Sequence, residues 1–548
     1  MLRLALVVLF VPGLLTAQTP PRGIVVSVSP PASRVGEQIL ERGGNAVDAA
    51  VAVGFALAVT WPEAGNIGGG GFMLVRPPGS TAAATVFDYR ETAPAAATAD
   101  LFVRQGKKPH LTVGVPGSVA GLALAHTRFG KLPWKSLVEP AVRLANEGVE
   151  VDEALAASLN SALKQSKEFA ELRRVFGKEG GWKRGDRLVQ KELGQTLQRI
   201  ADHGAAGFYE GETARLIEKE MQEGGGLITK ADLAGYRPRQ RDALRGTYRG
   251  FEILVPPPPS SGGICLIEML NILEQFDLKA KGRYAPATLH LLAEAMRRTY
   301  RDRAAFLGDA DFVKIPPHLT SKEYARKQAA SIDPNRATPS ADLAGDIVLS
   351  DEKPSTTHYS IRDAAGLAVS TTTTLENSFG AKVVVRGAGF LLNNEMTDFN
   401  PRPGVTTRTG QIGTAANVIA PGKRMLSSMT PTIVTRKGEV VLITGSPGGR
   451  TIINTVLQMV LNVVEFDMSL TEAVHAPRMH HQWFPDQVQV EARLAERHGE
   501  ALKAMTKLGH RVQKVRVQGD AHSIWRNPKT GQYEGVTDPR RAGRPAAF

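Results

Sequence analysis

The first sixty residues contain one stretch with the period of a strand and two with the period of a helix. Residues 23–29, GIVVSVS, alternate side chains as a strand does. Residues 35–42 carry apolar side chains at helical spacing. The following run, Ala46–Thr60, is apolar nearly all round, and Asn45 occupies the N-cap position before it. We therefore expect a strand and two helices, the second of them buried against a sheet.

Four consecutive glycines, residues 68–71, precede the apolar run FMLV. Such a run resembles a phosphate-binding loop, but no Lys-Ser or Lys-Thr pair follows it and no helical pattern begins there. The glycines are instead typical of a tight entry to a buried strand. The next segment, TVFDYRETAP, is again extended in character and predicts a strand that ends near Arg90.

Helical patterns dominate the middle of the chain, and we expect these helices to form the scaffold of the fold. They lie at residues 134–148, 155–163, 188–200, 213–221 and 287–306. Residues 256–263, PPPPSSGG, are typical of a linker or a polyproline ligand, and an apolar helical pattern follows them. Residues 333–355 lose apolar periodicity and predict an exposed loop or a linker.

Two strand-like runs, THYSIR and LAVSTTTTL, flank a turn at residues 363–366 and predict a hairpin. Three hydroxyl side chains, Ser355, Thr356 and Thr357, stand at its start. A run rich in Thr is usually no more than a strand. If the preceding peptide bond were cut, however, a threonine would carry both a hydroxyl and an α-amine, whose ordinary pKa of about 7.7 to 8 suits a general base. The chemistry alone does not choose among the three.

Several sequence blocks in and around these strands carry a family resemblance. They are TTHYS, GFLLNNEMTDF, KRMLSSMTPTIV and VLITGSPGG, with FDYRE in the first half of the chain. The blocks resemble those of γ-glutamyltransferases (γ-glutamyltranspeptidases), N-terminal nucleophile hydrolases made as one precursor that cuts itself. The resemblance extends from about residue 23 to the C-terminus with similar spacing. It implies a cut between Ser355 and Thr356, with Thr356 as the nucleophile.

The resemblance also implies the architecture. The family fold belongs to the α/β (α+β) class and is a four-layer αββα sandwich, in which two mainly antiparallel sheets lie between helices. Residues 18–355 would form a large subunit and residues 356–548 a small subunit, and the two subunits together would build one fold. The polar stretch before residue 356 would move aside after cleavage, so that substrate reaches the new N-terminus.

Further site residues follow from the same resemblance, position by position. Thr374 corresponds to the threonine that hydrogen-bonds the nucleophile. Gly448 and Gly449, at a turn from a strand into a helix, correspond to the oxyanion hole, whose backbone N–H groups stabilise the tetrahedral intermediate. Arg90, Ser427 and Ser428 would bind the α-carboxylate of glutamate. Glu376, Glu395 and Asp398 would bind its α-ammonium.

Two of these positions depart from the common family pattern. Many members have Asn where this chain has Glu376, which an extended backbone would place on the same face as Thr374. Three carboxylates around one ammonium would repel one another, so we expect a raised pKa for at least one of them. Residues 403–417 match a lid loop, and Thr409 stands where many bacterial members have Tyr.

Composition excludes several other classes of function. The chain has 548 residues and a formal charge of +13, but its Lys and Arg residues are dispersed, so we predict no nucleic-acid partner. The single cysteine, Cys265, allows no intramolecular disulfide and is expected in the core. His480 and His481 lack the spacing of metal ligands, and no cofactor motif is present, so we expect neither a metal nor a cofactor.

The N-terminus resembles a secretory signal peptide. Arg3 precedes an apolar run over residues 4–15, and small residues surround Ala17, which predicts a signal peptide at residues 1–17. An N-terminal anchor that is retained is the alternative. The expected location is therefore the periplasm or the exterior of the cell.

The resemblance implies an enzyme that acts on glutathione and other γ-glutamyl compounds. The γ-glutamyl group would pass through Thr356 to water or to the amine of an amino acid or peptide. A β-lactam or glutaryl acylase on the same scaffold is the close alternative, although Arg90, Ser427, Ser428 and Asp398 favour a free α-amino acid head group. A periplasmic binding protein for glutamyl peptides is the remote alternative, and it would have no reason to cut itself.

Overall fold

The computed structural model describes residues 23–79, 83–345, 350–351, 356–540 and 546–547, with backbone alone for residues 350, 351, 410, 546 and 547. The proposed signal peptide, residues 1–17, and Ser355 at the proposed cleavage site lie outside the described residues.

Helices make up most of the regular structure of the described residues. The α-helices are α1 Pro30–Glu41, α2 Ala46–Thr60, α3 Leu101–Gln105, α4 Ser118–Phe129, α5 Trp134–Glu147, α6 Glu153–Gln165, α7 Ala170–Phe176, α8 Lys191–His203, α9 Ala206–Tyr209, α10 Gly211–Gly224, α11 Lys230–Gly235, α12 Gly262–Leu273, α13 Leu278–Lys281, α14 Pro286–Phe306, α15 Lys322–Ala330, α16 Thr451–Val464, α17 Leu470–His475, α18 Ala492–Arg497 and α19 Gly499–Lys507. Short 3-10 helices occur at Pro109–Thr112, Pro317–Thr320, Ser340–Leu343, Glu395–Asp398 and Ala415–Asn417.

The strands are short, and most of them pair antiparallel. They are β1 Gly23–Ser27, β2 Gly70–Arg76, β3 Thr85–Asp88, β4 Val149–Glu150, β5 Arg187–Leu188, β6 Arg239–Asp242, β7 Leu244–Tyr248, β8 Phe251–Val255, β9 Ser350–Asp351, β10 Thr357–Asp363, β11 Ala368–Thr374, β12 Gly410–Gln411, β13 Thr432–Arg436, β14 Glu439–Thr444, β15 Met479–His480, β16 Val488–Glu491, β17 Val512–Val515, β18 Ser523–Arg526, β19 Tyr533–Val536 and β20 Ala546–Ala547.

Two large antiparallel sheets form the centre of the molecule. The first has seven strands in the order β20-β1-β10-β11-β2-β3-β6, and the second has six in the order β19-β18-β14-β13-β8-β7. In the first sheet β10 lies between β1 and β11, with Val25 opposite Ile361 on one side and Tyr359 opposite Thr371 on the other. Strands from before and after residue 355 therefore share one sheet.

The side chains of the first sheet divide between two hydrophobic cores. Successive residues of a strand point to opposite faces, so Val25 and Val75 pack with α2 and α5, whereas Val26 and Leu74 face the second sheet. The second sheet shares its core with helices α12, α14 and α16. The order of layers is thus helix, sheet, sheet, helix, and the predicted αββα sandwich is confirmed.

Most of the elements predicted from the hydrophobic pattern are present. Asn45 caps α2, since its side chain accepts hydrogen bonds from the N–H groups of Val47 and Asp48. The predicted hairpin is β10 and β11. The helix expected from residue 188 begins only at Lys191, because Arg187 and Leu188 pair with β4 as strand β5. PPPPSSGG is internal to the fold and leads into α12, which buries Cys265.

Candidate active site

A single cleft gathers almost all of the residues predicted to act on substrate. It lies where β10, β11 and α16 come together with the 3-10 helix Glu395–Asp398. The predicted site residues that line it are Thr356, Thr374, Glu376, Arg90, Glu395, Asp398, Ser427, Ser428 and Gly449. Gly448, which directly precedes Gly449, does not line the cleft.

Thr356 and Thr374 are brought together by the hairpin. Thr356 immediately precedes β10, and Thr374 is the last residue of β11, so the antiparallel pairing places them side by side at one end. Their Oγ1 atoms are 3.4 Å apart. Thr374 Oγ1 accepts a hydrogen bond of 2.7 Å from the backbone N–H of Glu376. A hydroxyl that accepts this bond still has its own hydrogen to donate, as the predicted contact with the nucleophile requires.

Arg90 lies deep in the cleft with only 1% of its surface exposed. Its guanidinium forms close ion pairs with Glu395 and Asp398, and Nη1 lies 3.4 Å from a carboxylate oxygen of Glu91. Nε donates to the carbonyl oxygen of Met425 at 3.2 Å. Arg90 is thus surrounded by carboxylates.

Glu91 does not line the cleft but contacts Arg90, and the sequence reasoning missed it. It is fully buried, and burial raises the pKa of its carboxyl group to about 7, although the neighbouring Arg90 acts in the opposite direction. Gly70 provides the room for this side chain, since a Cβ at Gly70 would lie 2.7 Å from the Glu91 carboxyl. The only signal available in the sequence was an acidic residue directly after the predicted Arg90.

The expectation of raised pKa values among the acids is confirmed for Glu376 and Glu395, but the expected cause was incomplete. Burial is the largest contribution to the raised pKa of both groups. Like-charge repulsion is the next cause that raises the pKa, from Asp398 for Glu376 and from Glu91 for Glu395. Arg90 opposes both shifts, and its own positive charge offsets part of the negative charge of these acids.

Glu376 reaches the cleft by a different route from the one predicted. Strand β11 ends at Thr374, so the period of a strand does not extend to residue 376. Glu376 instead has a φ of 75°, in the left-handed region that residues other than glycine rarely adopt. Its carboxylate accepts a hydrogen bond of 2.9 Å from the side-chain amide of Asn394. The strained backbone and this bond together fix Glu376 beside the cleft.

Ser427 and Ser428 lie on a buried extended segment before β13, where Ser427 forms an isolated parallel β-bridge with Ser260. The N–H of Ser427 donates to the carbonyl oxygen of Pro259 at 2.9 Å, and Ser261 Oγ donates to the carbonyl oxygen of Ser427 at 2.6 Å. The Oγ of Ser428 accepts a hydrogen bond of 3.0 Å from Nη2 of Arg303. Arg303 also lines the cleft and was missed, because nothing in its helical sequence context distinguishes it from a surface charge.

Gly448 and Gly449 form the turn between β14 and α16. Their φ angles are 131° and 56°, values that favour glycine. A Cβ at Gly448 would lie 2.4 Å from Thr451 Oγ1. Helix α16 begins at Thr451, so the two glycines present backbone at the helix start, beside the cleft that Thr356 lines.

The comparisons with known proteins agree with this arrangement. The family model described as Gamma-glutamyltranspeptidase matches residues 32–548. The chain belongs to the γ-glutamyltranspeptidase family. The glutathione hydrolase proenzyme of Escherichia coli (strain K12) is 45% identical over 530 residues, which cover 95% of this chain and 90% of that protein.

Solved structures of γ-glutamyltranspeptidase relatives show the same fold. The cephalosporin acylase from Bacillus halodurans matches with a TM-score of 0.85 and 27% identity, over 99% of both chains. The γ-glutamyltranspeptidase of Helicobacter pylori matches with a TM-score of 0.57 and 43% identity, over 59% of this chain and 95% of that chain.

The predicted lid loop, residues 403–417, lies along one wall of the cleft. Gln411, Ile412 and Asn417 line the cleft, and Asn417 donates from its side chain to the carbonyl oxygen of Asp398 at 2.7 Å. Thr409 is exposed and pairs with Thr407 through their hydroxyls at 3.0 Å. The predicted lid loop is therefore tied to the 3-10 helix Glu395–Asp398 at its C-terminal end, while Thr409 does not line the cleft.

The histidines singled out from the sequence form hydrogen bonds within the protein, His480 with Asn454 and Gln482 and His481 with Asp486. His480 and His481 are buried, and burial lowers the pKa of His480 to about 3 and that of His481 to about 4. A different group, His290, Glu294 and His510, has the spacing of metal ligands, but Glu294 is paired with Arg297 and Arg298.

None of the helices in the described residues has the length and apolar character needed to cross a membrane.

Proposed function

We propose that the chain is a self-processing γ-glutamyltransferase with glutathione hydrolase activity. Thr356 Oγ1 attacks the γ-carbonyl carbon of glutathione or another γ-glutamyl compound, and the α-amine of Thr356 takes up the hydroxyl proton. The same proton passes to the leaving amine as the amide bond breaks. Water or the amine of an amino acid or peptide then attacks the acyl-enzyme and releases Thr356.

The observation that carries this proposal is the composition of the cleft. A threonine at one end of the central hairpin shares the cleft with a buried arginine, two serine hydroxyls and three carboxyl groups. Such a set suits a substrate that carries a carboxylate, an ammonium and a reactive carbonyl in one short molecule. Gly448 and Gly449 would supply the N–H groups that bind the oxyanion.

Self-cleavage is the step to test first. The wild-type protein should run on a denaturing gel as two chains, and N-terminal sequencing of the smaller chain should read Thr-Thr-His-Tyr. Thr356→Ala should remain a single inactive chain, because the hydroxyl is needed for the N-to-O acyl shift and for turnover. Cleavage of the variant at the same bond would exclude Thr356 as the nucleophile.

A β-lactam or glutaryl acylase remains the second candidate, since the cephalosporin acylase of Bacillus halodurans shares the fold over the whole chain. The kcat/KM values for γ-glutamyl and glutaryl anilides distinguish the two functions, because only the γ-glutamyl compound has an α-amino group. We expect a higher kcat/KM for the γ-glutamyl anilide. A preference for the glutaryl anilide would favour the acylase. A protein that stays in one chain and turns over neither would be a binding protein.

The processed enzyme is proposed to be a heterodimer of residues 18–355 and 356–548. Its proposed location is the periplasm or the exterior of the cell, on the basis of the signal-like sequence at residues 1–17. Mass spectrometry of the protein from intact cells would show whether residues 1–17 are removed.

A further inference from the structure

The segment PPPPSSGG has a local role that the proposed chemistry does not use. Its residues run alongside the segment that carries Ser427 and Ser428, with Ser260 and Ser427 in a parallel β-bridge. Ser260 Oγ donates to the carbonyl oxygen of Met429 at 2.7 Å, and the N–H and Oγ of Ser261 both donate to the carbonyl oxygen of Ser427, at 2.7 and 2.6 Å. Ser260 and Ser261 therefore hold the backbone of residues 427–429 in place, and we call this pair of serines the template.

Arg303 joins this template to the cleft. It lies in the last turn of α14, is 8% exposed and lines the cleft. Nε donates to Ser261 Oγ at 2.9 Å, and Nη2 donates to Ser428 Oγ at 3.0 Å. One guanidinium thus holds both the template and the serine predicted to bind substrate.

Two of the three arginines that line the cleft, Arg90 and Arg303, differ in how their charge is balanced. Arg90 is surrounded by Glu91, Glu395 and Asp398. Arg303 donates to two neutral hydroxyls and has no carboxylate partner in the described part of the chain. A buried cation without a counterion is costly, and an anionic substrate group nearby would remove that cost.

The hydroxyl of Ser428 is directed by the same contact. Because Ser428 Oγ accepts a hydrogen bond from Arg303, its own hydrogen must point elsewhere, and Ser428 lines the cleft. A serine that donates into the cleft from beside a cation is suited to a carboxylate. Hydrogen bonds to an ionised acceptor are about twice as strong as neutral ones.

We propose that Arg303 is a positioning residue for the α-carboxylate of the donor substrate. It fixes the Ser428 hydroxyl and contributes the positive charge that Arg90, with its three acidic neighbours, cannot contribute alone. This inference rests on the proposed γ-glutamyltransferase function and deepens it, since it assigns the recognition of one substrate group to a residue outside the predicted set.

The test uses two anilides that differ in one group. One is γ-glutamyl p-nitroanilide, and the other is 4-aminobutanoyl p-nitroanilide, which keeps the amine and the reactive amide but lacks the α-carboxylate. Arg303→Gln should lower kcat/KM for the γ-glutamyl anilide about 10- to 150-fold, the range for a lost hydrogen bond to a charged group. The loss should lie mainly in KM, because the contact exists in the bound ground state. The 4-aminobutanoyl anilide should change less than about threefold.

The matched control is Arg301→Gln on the same helix. Arg301 pairs with Asp302 and does not line the cleft, so both anilides should retain nearly wild-type rates. A processed Arg303→Gln protein that loses activity equally on both anilides would show a purely structural role and overturn the inference. If the wild-type protein itself does not cleave the γ-glutamyl anilide, the proposed function fails and not merely the role of Arg303.

A second variant covers the case in which Arg303→Gln is not processed. Arg303→Lys keeps the positive charge but cannot bind Ser261 and Ser428 with one planar group. Its loss on the γ-glutamyl anilide should be smaller than that of the Gln variant, about 3- to 20-fold, and again confined to the substrate with a carboxylate. A ratio of the two anilides equal to that of the wild type would contradict the inference.

Discussion

At the scale of single residues, the structure changes the electrostatic interpretation of the cleft. The sequence suggested three carboxylates facing an empty space. In the fold, Arg90 pairs with two of them, and burial raises the pKa of both Glu376 and Glu395, so the acids are partly neutralised before substrate arrives. The ammonium of a γ-glutamyl substrate would bring a positive charge beside Glu376 and favour its ionised form.

This view gives a prediction for Glu376. The wild-type enzyme should discriminate against a glutaryl anilide, which lacks the ammonium, more strongly than Glu376→Asn does, because without the cation the acids face one another and the substrate's own carboxylate. The measurement is kcat/KM for γ-glutamyl and glutaryl anilides in both proteins. An equal preference ratio in the two would mean that Glu376 does not recognise the ammonium.

Glu91 gives a prediction about pH. Its pKa is about 7 in the fold against an ordinary value near 4.5. Between these values the unfolded chain has lost the proton that the folded chain keeps, so the contribution of Glu91 to stability falls as pH rises from about 4.5 to 7 and is then constant. Glu91→Gln cannot titrate. Urea denaturation should show the stability of the variant relative to wild type rising by about 3 kcal/mol across this window.

The comparison with Glu91→Gln reports on Glu91 together with Glu395, whose pKa is raised by the Glu91 charge. The difference in unfolding free energy should be flat above pH 7. A difference that is constant from pH 4.5 to 8 would show that Glu91 titrates alike in the folded and unfolded chains.

At the scale of elements, the local sequence pattern correctly predicted the features that neighbouring residues determine, such as helix caps and hairpins. Asn45 capped its helix as expected, and the hairpin at residues 363–366 followed from alternation and turn residues. Glu376 shows the limit, because the left-handed backbone at that residue is imposed by contacts with Asn394 and Thr374 and leaves no mark in the period of the strand. Arg303 was missed for a similar reason: its partners come from two distant segments.

The turn from β14 into α16 carries the next prediction. Gly448→Ala would place a Cβ 2.4 Å from Thr451 Oγ1 at a φ of 131°, so the backbone N–H groups of the turn must shift. Loss of one oxyanion donor lowers kcat by about 100- to 1000-fold in known enzymes. We expect a fall of that size in kcat, with KM much less affected, in steady-state kinetics on the γ-glutamyl anilide.

The control for backbone strain is Gly250→Ala. Gly250 also has a positive φ, 80°, and a Cβ there would meet nothing within 4 Å. It lies in the turn between β7 and β8 and outside the cleft. This variant should lose some stability but keep its kcat. Equal losses of kcat in the two variants would argue against an oxyanion hole at Gly448.

At the scale of the whole molecule, the two proposed subunits are interleaved rather than adjacent. Strand β10 pairs with β1 through five residue pairs, β11 pairs with β2, and β13 pairs with β8 in the second sheet. Both cores contain side chains from before and after residue 355. The periods of the separate strands could not reveal this arrangement, because the order of strands in a sheet depends on long-range packing. The joint fold of the two subunits was predicted only from the family resemblance.

Interleaving leads to the last prediction. Cleavage at Thr356 should leave the two chains associated, since separating them would break the centre of the first sheet and expose both hydrophobic cores to water. Size-exclusion chromatography under native conditions should give one peak at the position of the uncut Thr356→Ala protein, although a denaturing gel of the same peak shows two chains. With increasing urea, the chains should separate only in the concentration range where the circular dichroism signal is lost, because neither subunit retains a complete sheet of its own. A small chain that elutes separately and folded in native buffer would contradict this account of how the fold is held together.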